Sequence, residues 1–529
     1  MRNGSPFRAA RTPGTALAVP EVATMVQFSR RALLGGVLGA AVLGPLTACA
    51  GPGPAASGRL RVAFAAGGSK ETLDPALVSL FVDQARAKAL FDTLVAYNAD
   101  MSLRPRLAES WESDPTGRRW RVKLRKAAFH DNKPVTAEDV LHSLRRVADP
   151  AVASSSRQYF ATVDFGASRA LSPTEVEFVL AAPDFEFASG LGAPGTEIVP
   201  AGTTDFTAPV GSGPFRFGSF TPGGPAVFHA WEGHWEGRPT VAELEFVPVN
   251  EEAARVNALL SGQVDYAHDL ATGTAARLTG ESGVSLLETR LTTMQGVALR
   301  LTEPPFSDPR LVRAVLLGVD RDELNRIALS GRGEVGNDLF GKGLRGYAAD
   351  LPQRSRDVDA ARALVREAGA EGLAFPLETS DIDPCFETAA TLISRQLSEI
   401  GLVVTPSTRA SSTYFTEIKT KGVAAHTRTA TLPVPTFLKQ RFRTRGSSNT
   451  NGFTSPDFDD LLDRAVATAD ERQRLALLAE AQRITHDRAG LLAWGFSNWT
   501  VATSKRVSGV VGAPPNTADW ARFDRVTLS

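Results

Sequence analysis

One uncharged run, Ala32–Ala48, stands apart from the rest of the chain, and no second long apolar stretch follows it. A membrane-spanning helix needs about 20 predominantly apolar residues. This run offers 17 positions, among them Gly35, Gly36, Gly39, Gly44 and Pro45, which weaken a helix. Arg30 and Arg31 precede it and small residues close it, the layout of an export signal that is cut away. A retained anchor and an ordinary cleaved signal are the competing readings. Either way, the remainder must bury its apolar side chains in cores of its own. At 529 residues and 43% hydrophobic content, two or three lobes are expected.

The run ends at Cys49, and the chain has only one other cysteine, Cys385. Leu46-Thr47-Ala48-Cys49 resembles a bacterial lipobox, in which the cysteine is acylated and becomes the first residue of the mature chain. Residues 1–48 are therefore expected to be the signal, with translation starting at Met25, and residues 49–58 a lipidated, flexible tether. The expected location is the outer face of the cytoplasmic membrane, held by lipid on Cys49 alone. Ser29–Leu34 also resembles a twin-arginine signal, but Leu33 stands where Phe is commonest and Gly35 where Lys is usual. Tat and Sec export both stay open. With Cys49 carrying lipid, Cys385 has no disulfide partner, and a zinc site built on cysteines is excluded. Cys385 reads as a small buried hydrophobe.

Removing residues 1–48 takes away five arginines and one glutamate, leaving 53 basic and 57 acidic side chains, a net charge of −4. No basic block stands out, which argues against a nucleic-acid partner.

Periodicity changes along the chain. Arg59–Ala65 alternates as a strand, Leu77–Tyr97 is mostly helical, and Arg118–Leu124 alternates with Trp120, Val122 and Leu124 on one face. Thr136–Asp139 is a helix start running to about Val147. Strands and loops dominate 162–228, and Glu251–Ser261 returns to helix. The second half carries long helical patterns at Asp308–Ala328, Asp357–Ala368, Phe386–Ile400, Asp457–Ala467 and Glu471–Arg488, with short strands between them. Such alternation means a mixed α/β lobe.

Catalytic motifs are thin. There is no G-x-S-x-G and no H-E-x-x-H. Gly336–Lys342 fits G-x-x-x-x-G-K, but Gly343 replaces the Mg²⁺-binding hydroxyl residue and no β-branched strand leads into it. His229 and His234 are spaced poorly for a metal pair.

Six phrases in order carry a resemblance: LAESWE (107–112) with WRVKLRKAAFHDNKPVTAEDV (120–140), GSGPF (211–215), ALLSGQVD (258–265), PFSDPRLVRAVLLGVDR (305–321), AARALVREAG (360–369) and SPDFDDLL (455–462). Together they resemble the extracellular solute-binding proteins of ABC importers, in the oligopeptide/dipeptide/nickel group, over about residues 60–515. The resemblance implies an α/β, two-lobed periplasmic-binding-protein-like fold (type II, cluster C) with an extra strand-rich subdomain and a ligand cleft between the lobes. It implies lobe I from 59–98, 208–296 and 497–529, the additional subdomain from 99–207, and lobe II from 297–496. It also implies a small solute, most readily a peptide or peptide-like compound, and ABC permease subunits as partners to a monomer. A metal chelate, an opine-like acid, a sugar and a sensor role stay open, as does, remotely, a secreted enzyme. No cofactor, resident metal or catalytic residue is implied. The dense phrase Phe129–Asp139 reads as structural.

Two departures matter. Asn132 stands where the family has Gly, and Asn tolerates a positive φ. Thr431, in ATLPVP (430–435), stands where peptide-binding members place an Asp for the ligand's ammonium. A hydroxyl supplies no countercharge, so a free-amine peptide is one candidate among several. The cleft residues expected from the resemblance are Tyr414, His426, Arg428, Thr431, Asn451 and Trp494. Arg428 suits a carboxylate or phosphate, and His426, two positions away on an extended segment, shares its face. A solvated strand and core aromatics are the structural alternatives.

Overall fold

The computed structural model describes residues 58–410 and 413–529; the signal and tether readings, with Arg30, Arg31 and Cys49, lie outside them. Strand β1 (Arg59–Phe64) is buried almost throughout because it is an inner strand of a large sheet. Its neighbours β4 (Glu243–Pro248) and β5 (Tyr266–Ala267) both run parallel to it, and inner parallel strands are apolar on both faces. Beyond β4 lie β3 (Ala226–Ala230) and β2 (Phe215–Phe220), both antiparallel to their neighbours.

The other half of the sheet holds β8 (Ala374–Thr379) flanked in parallel by β9 (Val403–Thr408) and β10 (Ala424–Ala430). Two long strands join the halves: β6 (Val284–Leu299) and β11 (Leu491–Ser504), paired antiparallel along their length. The sheet has eleven strands, in the order β9-β8-β10-β6-β11-β5-β1-β4-β3-β2, with the two-residue β7 (Glu334–Val335) on β11. The β6–β11 register shifts between Thr289 and Thr293, where Leu291 adopts φ 60°, and again between Gln295 and Gly296. Each shift bends and twists the ribbon locally.

Separate apolar cores pack on this frame. Leu60, Phe64, Phe91, Phe228, Phe246 and Trp520 belong to one. Trp120, Val122, Leu124, Val140, Phe178 and Ile198 belong to a second, over a four-stranded sheet of Ala108–Ser113, Arg119–Leu124, Arg169–Ser172 and Glu175–Val179. Val297, Val315, Phe386, Leu397 and Trp494 form a third, and Met294, Phe437, Phe458 and Leu478 a fourth. The chain's end returns to the first half: Lys88 Nζ donates to the carbonyls of Thr517 (2.7 Å), Ala518 (2.9 Å) and Trp520 (2.6 Å).

Most predicted elements stand, and two differ. The helical pattern over Leu77–Tyr97 is a helix only at Phe81–Leu90, after which Val95–Tyr97 is a short strand. The pattern over Asp308–Ala328 is two helices, Pro309–Gly318 and Arg321–Ala328. Asp320 caps the second by accepting from the Glu323 amide at 2.9 Å, which ends the first. Asn132 takes φ 66°, as its place in the turn requires. Among the described residues no helix is long and apolar enough to cross a membrane.

Candidate functional site

A cavity of about 790 Å³ opens where β6 and β11 pass between the two halves of the sheet. One wall comes from the segment after β4 and the β5 turn, including Glu252, Arg255 and Asp269. The opposite wall comes from Ala328–Ser330 and the loop Asp381–Cys385. Gln295 and Ser497 form the floor from the joining strands, with Arg428 from β10. The Asp381–Cys385 loop follows the carboxyl end of β8 and leads into the helix Phe386–Ser398, the position at which open α/β sheets hold ligands.

Register explains the convergence. Gln295 and Arg428 are direct cross-strand partners, so their side chains leave the sheet on the same face. Arg428 Nη1 donates to Asp383 Oδ2 at 2.9 Å, and Gln295 Nε2 donates to the same oxygen at 3.2 Å. The other Asp383 oxygen accepts from the Cys385 amide at 3.1 Å. Burial alone would push Asp383 up, but Arg428 and the Cys385 hydrogen bonds outweigh it and hold the carboxyl below its ordinary value. Asp269 goes the other way: burial raises its carboxyl, Arg428 lowers it and Asp383 raises it again. Arg255, though charged, donates to the carbonyls of Val249, Asn250, His268 and Asp269, and so braces the wall.

Of the six cleft candidates, only Arg428 lines this cavity. Tyr414 is fully buried, its hydroxyl donating to the Glu378 and His426 carbonyls at 3.0 and 2.8 Å. His426 does point to the same side as Arg428, but it is buried against Phe386, with ring centroids 4.9 Å apart. Burial pushes its imidazole down to about 4, so it is neutral. Thr431 is buried and donates to the Thr292 carbonyl at 2.8 Å. Asn451 is buried with its amide on the Ala489 carbonyl. Trp494 falls at the second β6–β11 shift: Gln295 pairs with Gly495 and Gly296 with Ala493, leaving Trp494 without a partner on β6. That bulge turns its ring into the core of the second half. Trp499, five residues on, lines the cavity instead.

Sequence reasoning missed Asp269, Gln295, Asp383 and Ser497 as a group. They come from four separate segments, and only the sheet order brings them together. Among the described residues no group of three or more His, Cys, Asp or Glu side chains is placed to hold a metal ion.

Comparison with known proteins agrees with this architecture. The family model described as bacterial extracellular solute-binding proteins, family 5 middle, matches residues 102–449. The glutathione-binding protein GsiB of Escherichia coli (strain K12) is 24% identical over 470 residues, covering 85% of this chain and 91% of that protein. Among solved structures, the binding protein AgaA from A. tumefacien R10, in complex with agropinic acid, superposes with a TM-score of 0.77 at 24% identity. The match covers 89% of this chain and 99% of that one. The periplasmic binding protein DppA of Helicobacter pylori, in complex with the peptide STSA, gives a TM-score of 0.77 at 21% identity, covering 89% and 98%. The matched span takes in most of the chain and reaches from the strand-rich part to the β10 region that carries Arg428; the chain belongs to the bacterial extracellular solute-binding proteins of family 5.

Proposed function

We propose that this chain is the extracytoplasmic receptor of an ABC importer and that its solute, a peptide or peptide-like compound, occupies the cavity floored by Gln295 and Arg428. The carrying observation is that side chains from both halves of the sheet line one cavity astride the two long strands that join them. A ligand touching both walls favours their approach, and the irregular stretch of β6 around Leu291 is a natural place to bend. The separate apolar cores support the division into 59–98 with 208–296 and 497–529, an added subdomain at 99–207, and a second lobe at 297–496. The polar lining needs no chemistry beyond binding, and no catalytic step belongs to this reading. Cys49 would hold the receptor near its permease through lipid, raising its local concentration there.

Native mass spectrometry of the purified protein, followed by a thermal-shift panel, tests the receptor. A genuine ligand raises the melting temperature as RT ln(1 + [L]/Kd), and Arg428→Ala weakens it without unfolding the protein. Unchanged affinity would move the site elsewhere. For the anchor, Cys49→Ser should release the protein from the membrane fraction; a variant that stayed bound would overturn the assignment.

A further inference from the structure

The segment 99–207 touches the segment 297–496 through residues outside the strands that join the two halves of the sheet. Glu186 accepts from two guanidinium groups there. Arg345 Nη1 and Nη2 reach its two oxygens at 3.2 and 3.1 Å, and Arg474 Nε reaches one of them at 2.7 Å. Both arginines are also held by their own segment. Arg345 Nε donates to Glu471 at 2.6 Å, and Arg474 Nη1 donates to the carbonyls of Thr468 and Ala469 at 2.6 and 3.1 Å. The two guanidinium groups therefore form a socket that does not depend on Glu186 for its shape. Main-chain groups extend the contact. The Phe185 amide donates at 2.7 Å to the carbonyl of Val466, the last residue of the helix Pro456–Val466, and carbonyls at a helix end lack a partner within their own helix. The Arg345 amide donates to the Asp100 carbonyl at 3.0 Å, and Ser447 Oγ to Gln158 Oε1 at 2.6 Å. None of these residues lines the cavity floored by Arg428.

This contact can part at little apolar cost. Among the described residues, the core of 99–207 includes none from 297–496, and the two cores of the second half include none from 99–207. Separation would return charged and polar groups to water rather than open a shared core. A void of about 40 Å³ remains between the surfaces, bounded by Tyr159 and Glu186 on one side and by Thr436 and Gln440 on the other. That is looser than the packing of a core. Thr436 and Gln440 lie on the helix Val434–Arg441, which follows β10, the strand that carries Arg428. The clasp surface and the cavity floor are thus borne on one strand–helix unit.

We propose that Glu186, seated between Arg345 and Arg474, is a detachable clasp by which the segment 99–207 holds the two halves in their closed arrangement. It is then a positioning residue for solute binding that touches no solute. Its bearing on affinity rests on the receptor reading: only the closed fraction binds fully, so the apparent Kd is the intrinsic value divided by that fraction. The clasp itself is read without any solute.

Small-angle X-ray scattering of the solute-free full chain tests it. At low salt, Glu186→Gln should show a larger radius of gyration than wild type. Arg345→Gln/Arg474→Gln, altered on the opposite surface, should expand the chain equally, and the triple variant no further, since each removes the same contact. Asp460→Asn breaks the exposed Arg464–Asp460 pair on the neighbouring helix face and should leave the scattering unchanged. Raising sodium chloride from about 0.01 M to about 1 M shortens the screening length from about 30 to about 3 Å. That should expand wild type toward Glu186→Gln while the variant stays as it was, a response that a merely structural side chain would not give. Identical scattering for wild type and both clasp variants, or equal expansion in Asp460→Asn, would overturn the clasp. Expansion accompanied by loss of the far-ultraviolet circular dichroism signal would mean unfolding and would also count against it. Each of these outcomes leaves the receptor reading to native mass spectrometry, and a chain that retained no solute could still open and close on Glu186.

Discussion

Asp383 shows how one side chain sets the state of its neighbours. It accepts from Arg428, Gln295 and the Cys385 amide, and its carboxyl is held below the ordinary range. A carboxyl depressed in the folded state stabilises the fold above its unfolded value, and that contribution disappears as pH falls through the folded one. Asp383→Asn should therefore cost about 2 kcal/mol at pH 7, the range for a charge-assisted hydrogen bond. In urea titrations the gap from wild type should close below about pH 4; a gap that persisted there would mean the carboxylate charge was irrelevant. Cys385, next to it, was legible as a buried hydrophobe because nothing in the sequence offered it a partner. Burial, reinforced by Asp383, pushes its thiol well above the ordinary range, so the thiolate needed for reaction is scarce. Iodoacetamide at pH 7.5 should leave folded Cys385 unmodified and label it in urea; rapid labelling of the folded chain would contradict that burial.

At the scale of elements, the family phrases prove to be packing devices. GSGPF lies across the end of the helix Phe81–Leu90: a Cβ on Gly211 would sit 1.9 Å from the Leu90 carbonyl oxygen, and one on Gly213 2.6 Å from that of Ala89. The FHDN turn holds the same loop from the other side. His130 Nδ1 accepts from the Gly211 amide at 3.1 Å, and Nε2 donates to the Gly213 carbonyl at 3.0 Å. Two phrases about 80 residues apart in sequence are thus one joint, which explains why glycine is needed and why the polar Phe129–Asp139 stretch is structural. Gly211→Ala should destabilise by about 3 kcal/mol or more, as overpacking against rigid backbone does, measured by the shift in denaturant midpoint. A near-neutral result would show that the loop can retreat from the helix. Strands and helices were legible where a period persisted, as in Arg59–Phe64 and Glu471–Arg488. The break at Asp320 was not, because apolar residues keep helical spacing across it while the cap decides the boundary. The bulge at Trp494 was equally hidden: strand alternation predicts a facing, and one extra residue reverses it.

For the whole molecule, the resemblance made the fold class readable, while the cavity was not, since its polar residues meet only through the order β8-β10-β6-β11. Burial elsewhere in the molecule contributes to the response of the fold to acid. Burial pushes the imidazoles of His130 and His426 down to about 4, and that of His268 well below its ordinary value. Each is neutral when folded but takes up a proton near 6.5 when unfolded. The unfolded chain then binds more protons between those limits, so stability falls as pH drops from about 6.5 to about 4. His130 adds a geometric reason, because protonating Nδ1 would remove the acceptor of the Gly211 amide. Glu197 acts in the opposite sense: burial raises its carboxyl to about 7, so it favours the folded state as pH falls toward 4.5. Each group moves stability by at most about 1.4 kcal/mol per pH unit. These three histidines against this one glutamate contribute a net loss of at most about 3 kcal/mol per unit, fully expressed only between about pH 4.5 and 6, and His486, also lowered by burial, acts in the same direction as the histidines. Denaturant midpoints measured at pH 7.5, 6 and 5 should decline steadily over that window. The double variant His130→Gln/His426→Phe should decline less steeply than wild type, since it keeps the Gly211–Gly213 clasp and the Phe386 stack without the titrating rings. Parallel curves for the two proteins would place the acid sensitivity in groups other than these histidines.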